Sequence, residues 1–124
     1  MIAIDTSSLI AYLRDEEGDD VEAVDEALRL GQATLPPVVL TELLTCPGLD
    51  RQLAKLIREM SLLEAGSGFW ERAANTRGTI LSKRLRARLA DTLIAQSCLD
   101  HQVPLITRDT DFRHFAIHAG LILV

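Results

Sequence analysis

Only two cysteines, Cys46 and Cys98, stand in the 124 residues, and they form no Cys-x-x-Cys pair. That argues against a zinc ribbon or a redox dithiol; both lie in apolar helical patterns and read as buried free thiols in a reducing compartment. Histidine is scarce as well. His101, His114 and His118 are the whole set, no helix is expected around the last two, and they read as surface or loop residues rather than zinc ligands. No apolar run approaches the roughly 20 residues needed to cross a bilayer. The first residues lack the basic and long apolar regions of a secretory signal, so the expectation is a cytoplasmic protein with no membrane contact. Also missing are a Gly-rich phosphate loop, any Ser-His-Asp or Cys-His arrangement, and any repeat or low-complexity segment.

What is present is ordinary in amount. Hydrophobic residues make up 48% and charged residues 25%, the balance of a folded globular protein, and the length fits a single domain over residues 1–124. The formal charge of −5 hides an uneven distribution. Asp15 to Glu26 holds eight of the eighteen acids, whereas Arg72 to Arg88 holds six of the thirteen bases and no acid. A phosphate backbone feels the local patch, because charges are screened over about 8–10 Å. The acidic run reads as a solvated helix face; the basic run, with Arg77, Lys83, Arg84, Arg86 and Arg88, reads as a candidate RNA-contacting surface.

The chain opens on Ile2-Ala3-Ile4, a short apolar run stopped by Asp5-Thr6-Ser7-Ser8. Such a run fits a strand buried on both faces of a parallel sheet, which puts Asp5 at its carboxyl end, where open α/β sheets bind ligands. The other reading of Asp5 is a helix cap. Helices are expected from Ser7 to Arg14, from a cap at Asp19 or Asp20 to about Leu30, and from Val38 to Thr45 after Pro36-Pro37. A further helix follows from Leu49 to Met60, with Leu53, Leu56, Ile57 and Met60 on one side, then one from a Ser67 cap over Phe69 to Leu85, burying Trp70, Ala73, Ala74, Ile80 and Leu81, and one from Ala90 to His101. Strands are expected at 33–35, 61–64, 103–107 and, as a final buried strand, 121–124.

Strands alternating with helices imply right-handed crossovers and a parallel sheet. Asp5 and Asp109 each follow a strand and lie at its carboxyl edge. Asp91 opens the helix that runs back into the fourth strand and so starts at the same edge. Glu42, the single charge in an otherwise apolar helix, lies in the first turns after the second strand; its alternative is a narrow exposed stripe with Thr41 and Thr45. Clustered carboxylates repel one another and lose hydration, a difficulty that an oxygen-seeking dication such as Mg²⁺ or Mn²⁺ removes. Such an ion can lower the pKa of a bound water and orient it against a phosphodiester.

Four segments carry a family resemblance: Met1-Ile2-Ala3-Ile4-Asp5-Thr6-Ser7, the lone Glu42, Ala90-Asp91-Thr92-Leu93-Ile94-Ala95, and Leu105-Ile106-Thr107-Arg108-Asp109-Thr110-Asp111-Phe112. In this order they resemble the PIN-domain ribonucleases, in particular the VapC toxins of bacterial toxin-antitoxin pairs. The resemblance implies a PIN-like three-layer α/β/α fold with a central, mainly parallel five-stranded sheet. It also implies a Mg²⁺- or Mn²⁺-dependent endoribonuclease with Asp5, Glu42, Asp91 and Asp109 as its acidic site. Asp5 and Asp91 would be the principal metal ligands, Glu42 a holder of water or a base, Asp109 the completing acid with Asp111 its rival, and Thr6 a hydrogen-bond partner of the first carboxylate. RNA as substrate, a small antitoxin protein and a homodimer are the implied partners. Where many members carry a glycine-containing linker, this sequence has Lys83-Arg84-Leu85-Arg86-Ala87-Arg88, so substrate placement is where it departs.

Two other readings compete. A phosphohydrolase with Asp5 as covalent nucleophile wants a second Asp two residues on, where this chain has Ser7. A catalytically idle protein-binding module would have no use for four site acids.

Overall fold

The computed structural model describes all 124 residues. The order is β1 (Ile2–Ile4), α1 (Thr6–Leu13), α2 (Asp19–Arg29), β2 (Ala33–Thr34), α3 (Pro37–Leu44), α4 (Arg51–Arg58), α5 (Phe69–Ser82), α6 (Leu89–His101), β3 (Leu105–Ile106) and α7 (Arg113–Ala119), with a 3-10 turn at Thr110–Phe112 before the last helix. The strands form one parallel sheet in the order β2-β1-β3, pairing Ile2 with Ala33, Ala3 with Thr34 and Leu105, and Ile4 with Ile106. Successive residues of a strand face opposite sides, yet Ala3 and Ile4 are both fully buried, so helices cover both faces and the architecture is three-layered. No helix is long and apolar enough to cross a membrane.

The expected five strands resolve into three strands and two single parallel bridges, Leu35 to Leu62 on one edge and Leu105 to Leu123 on the other. Proline limits the ladders with β1 on both sides: Pro36 follows β2 and Pro104, whose carbonyl accepts from Ala3 N–H, precedes β3, and neither has an N–H to extend its pairing with β1. The last segment is also not a buried strand: Leu121 is buried, but Ile122 and Val124 are exposed.

Two helix starts and two helix faces differ from expectation. Helix α2 begins at Asp19 with Gly18 as its cap, not an aspartate, and α5 is capped by Gly68 rather than Ser67. Trp70, Ala74 and Leu81 lie on the exposed side of α5, and Leu56 is exposed on α4. The expected Ala73 and Ile80 of α5 and Ile57 of α4 do reach the core, joined there by Phe69 and Ala54. His114 and His118 lie in a helix, α7, where a loop was expected. Its apolar anchor is Phe115, packed on Phe112 with ring centroids 5.9 Å apart.

Gly18 adopts φ 148 and ψ 158, a region open almost only to glycine. A Cβ there would also lie 2.5 Å from Asp20 Oδ1. Gly18→Ala is therefore expected to destabilise the protein by about 1–3 kcal/mol, read as a lower denaturation midpoint at unchanged slope.

Twenty buried residues form one apolar cluster that includes Ile4, Leu35, Ile94, Leu105, Ile106, Phe112 and Phe115. Each large side chain among them contributes roughly 1.5–3 kcal/mol by leaving water. This cluster sits directly beneath the carboxyl ends of β1 and β3. It is what makes the loops there a fixed platform.

Candidate active site

In the order β2-β1-β3, the strands that follow β1 in the chain are added on its opposite sides, so the carboxyl end of β1 is a topological switch point. Asp5 occupies that point, 5% exposed. Its backbone N–H donates to the Ile106 carbonyl at 2.9 Å, which locks it to the end of β3. Two hydroxyls fix its carboxylate: Ser7 Oγ donates to Oδ2 at 2.6 Å and Thr107 Oγ1 donates to the same oxygen at 2.8 Å. Burial pushes the Asp5 pKa above its ordinary value, and these hydroxyl bonds oppose the rise without cancelling it.

Three more carboxylates converge next to it. Asp91, Asp109 and Asp111, all partly buried, can bring one oxygen each within 4.8 Å of one another. Asp91 stands in the first turn of α6, where the helix dipole favours negative charge. Asp109 follows β3 and caps the 3-10 turn, its Oδ1 accepting the Asp111 N–H at 2.9 Å. Thr107 Oγ1 links the two halves of the site, accepting the Asp109 N–H at 3.0 Å while donating to Asp5. The electrostatic consequence falls on Asp91. Burial first, then the charges of Asp109, Asp5 and Asp111, push its pKa up to about 6. The same burial, with Asp5 nearby, holds the Cys98 thiol at about 12, so it is inert.

Glu42 is placed differently. It lies on an exposed stripe of α3 with Thr41 and Thr45, so its charge costs little there and needs no ligand to explain it. Thr6 meets the Asp5 carboxylate through its backbone N–H, while its hydroxyl donates to Glu42 Oε1 at 2.7 Å. The two residues whose hydroxyls hold Asp5, Ser7 and Thr107, were missed in the sequence.

The basic run is partly committed within the fold. Arg77 Nε donates to the Ala87 carbonyl at 2.9 Å and pins the loop before α6, so it is a structural residue rather than a free contact. Arg86 pairs with Asp111 at 3.6 Å, and Arg88, the cap residue of α6, offsets part of the charge felt by Asp91. Lys83 and Arg84 are exposed. The acidic run is likewise more than a solvated face: Asp20 and Glu16 bind Arg108, and Asp25 accepts from Tyr12 and Arg29.

A hard dication fits this donor set. The donors are carboxylate oxygens, they lie within one coordination sphere's reach, and their mutual repulsion is what a positive charge relieves.

A three-layer α/β/α sheet protein with aspartates gathered at the carboxyl end of its central strand is the class that fold and site define. The chain belongs to the PIN domain family, whose model matches residues 2–118. Among solved structures it is similar to FitAcB from Neisseria gonorrhoeae, at 19% identity and a TM-score of 0.69, over 99% of this chain and 96% of that one. FitAB bound to an IR36 DNA fragment aligns at 18% identity and a TM-score of 0.73, over 100% and 94%. VapBC2 from Rickettsia felis, bound to a DNA fragment from their promoter, aligns at 19% and 0.71, over 100% and 98%. At these identities the likeness speaks for the fold. No curated protein matches the sequence significantly.

Proposed function

We propose that this PIN domain is a Mg²⁺- or Mn²⁺-dependent endoribonuclease that acts as the toxin of a toxin-antitoxin pair in the cytoplasm. The observation that carries the reading is the meeting of Asp91, Asp109 and Asp111 beside the buried Asp5, which raises the Asp91 pKa to about 6. When bound, the dication supplies Lewis acidity and charge neutralisation for phosphodiester hydrolysis.

In this reading Asp5 and Asp91 are its principal ligands. Ser7 and Thr107 stop the Asp5 carboxylate from rotating, while Asp109 and Asp111 complete the acidic wall. Glu42, steered by Thr6, is assigned as the group that accepts a proton from the attacking water. Lys83, Arg84 and Arg88 border the start of α6 and are assigned to substrate phosphates, with Arg86 joining them when it leaves Asp111. Single-stranded RNA suits such a site, because unpaired bases can be splayed and read.

The partner side of the proposal rests on an apolar groove. Leu9, Tyr12, Leu13, Leu28, Leu53, Leu56, Ile57 and Met60 line a cavity of about 380 Å³ between α1, α2 and α4. A lining without one charged residue suits an amphipathic helix of a small antitoxin. The solved relatives are named as two-component assemblies, FitAB and VapBC2. A homodimer belongs to the same reading, and sedimentation of the purified chain tests it.

The activity test is cleavage of total cellular RNA with Mg²⁺ or Mn²⁺ added back to the metal-stripped protein. Cleavage that appears with either ion and stops on EDTA is the expected result. Equal cleavage with and without EDTA would remove the metal from the mechanism, and no cleavage of any RNA with either ion would leave the domain a binding module.

A further inference from the structure

Arg108 lies between Thr107, which holds Asp5, and Asp109, which caps the turn carrying Asp111. Its side chain turns away from these acids. Nε donates to Asp20 Oδ2 at 2.8 Å and Nη2 to Asp20 Oδ1 at 3.1 Å, a bidentate pair. Nη1 donates to Glu16 Oε1 at 3.0 Å, and Nη2 also donates to the Glu17 carbonyl at 3.3 Å. Four of its five N–H donors are thus taken, which leaves no open fork for an RNA phosphate. Asp20 is in turn held by Ser8 Oγ at 2.9 Å, and Ser8 is fully buried on α1, three residues after Asp5. The backbone N–H of Arg108 meets Ser7 Oγ at 3.4 Å, the hydroxyl that also holds Asp5.

We propose that Arg108 is a positioning residue for the acidic site: clamped on Glu16 and Asp20, it fixes the Thr107–Asp111 turn against the end of β1. The claim rests on the reading that these aspartates hold a dication. It gives the acidic run at the start of α2 a role as the counter-anchor of the site. Gly18 belongs to this device, since a side chain there would press on Asp20 Oδ1 and lie 3.3 Å from Arg108 Nη2.

The test uses the full chain and three variants, Arg108→Ala, Arg108→Lys and Asp20→Asn, with two readouts besides cleavage. The first is amide hydrogen exchange at Asp109 and Asp111 in the metal-free protein; the second is Mn²⁺ affinity by calorimetry. Arg108→Ala is expected to speed exchange at both amides and to weaken Mn²⁺ binding by roughly 10- to 100-fold, the range for losing a group that orients metal ligands. Arg108→Lys, which keeps the charge but not the bidentate fork, is expected to recover part of the loss, and Asp20→Asn to fall between. Unchanged exchange at Asp109 and Asp111 with unchanged Mn²⁺ affinity in a folded Arg108→Ala would overturn the proposal. So would a uniform rise in exchange that includes Ala3 in the central strand, which marks general destabilisation. Should Arg108→Ala fail to fold, Asp20→Asn carries the same two readouts. If the wild-type chain binds no Mn²⁺, the nuclease reading fails, while the exchange arm still decides whether Arg108 holds the turn.

Discussion

Replacing Asp91 with asparagine is expected to abolish RNA cleavage and, in the metal-free protein at pH 7, to raise stability. The two effects have one cause. With a folded pKa of about 6 against an ordinary 3.8, Asp91 binds its proton more tightly when folded than when unfolded. Below pH 3.8 the group is protonated in both states and costs nothing. As pH rises from about 4 to 6 the unfolded chain loses the proton first, so stability falls across that window and stays reduced above it. The asparagine keeps the shape without the charge. After discounting for solvent screening at a partly exposed group, the gain at neutral pH is about 1–2 kcal/mol, or a few degrees in Tm. The same change removes a proposed metal ligand, and cleavage is expected to drop by roughly 1,000-fold, the scale on which loss of one preorganised charge-stabilising group acts. Thermal melts at pH 4 and pH 7 with and without Mn²⁺, beside a cleavage assay, check both halves. A variant that melts lower at pH 7 and cleaves normally would contradict them.

The largest effect on stability is expected from Phe112→Ala. Phe112 is fully buried and packs on Phe115, and it closes the 3-10 turn that contains Asp111 and is capped by Asp109. Large-to-small changes at such positions cost about 3–5 kcal/mol, which lowers Tm by roughly 10–20 °C in a domain of this size. Total stabilities of about 5–15 kcal/mol leave little after that loss. Because the ring anchors the acidic turn to the core, Mn²⁺ affinity is expected to fall as well, even at temperatures where the variant remains folded. Denaturant unfolding followed by calorimetry separates the two losses.

Much of the site's layout was legible in the chain, and for one reason. A short buried strand ending in a carboxylate constrains direction as well as position, so Asp5, Asp91 and Asp109 could be assigned to one sheet edge before any coordinates. Exposure on helices was harder to read. Trp70, Leu81 and Leu56 are apolar residues at plausible core spacing that the packing leaves outside, because each helix has more apolar positions than its contact face can cover. The short strands were overestimated where Pro36 and Pro104 cut the ladders. Long-range side-chain partners were invisible: nothing in the spacing of Thr6, Ser7 and Thr107 says which carboxylate each hydroxyl meets. Nor does local sequence show that the acids near Asp20 fold back onto Arg108, 88 positions away.

The most direct test of the central claim is the anomalous scattering of manganese in crystals of this chain soaked at a concentration that supports cleavage. The account predicts a peak among Asp5, Asp91, Asp109 and Asp111, about 2.0–2.2 Å from carboxylate oxygens of Asp5 and Asp91. No peak among these acids, with manganese bound only along the exposed acids between Asp15 and Glu26 or nowhere, would contradict it.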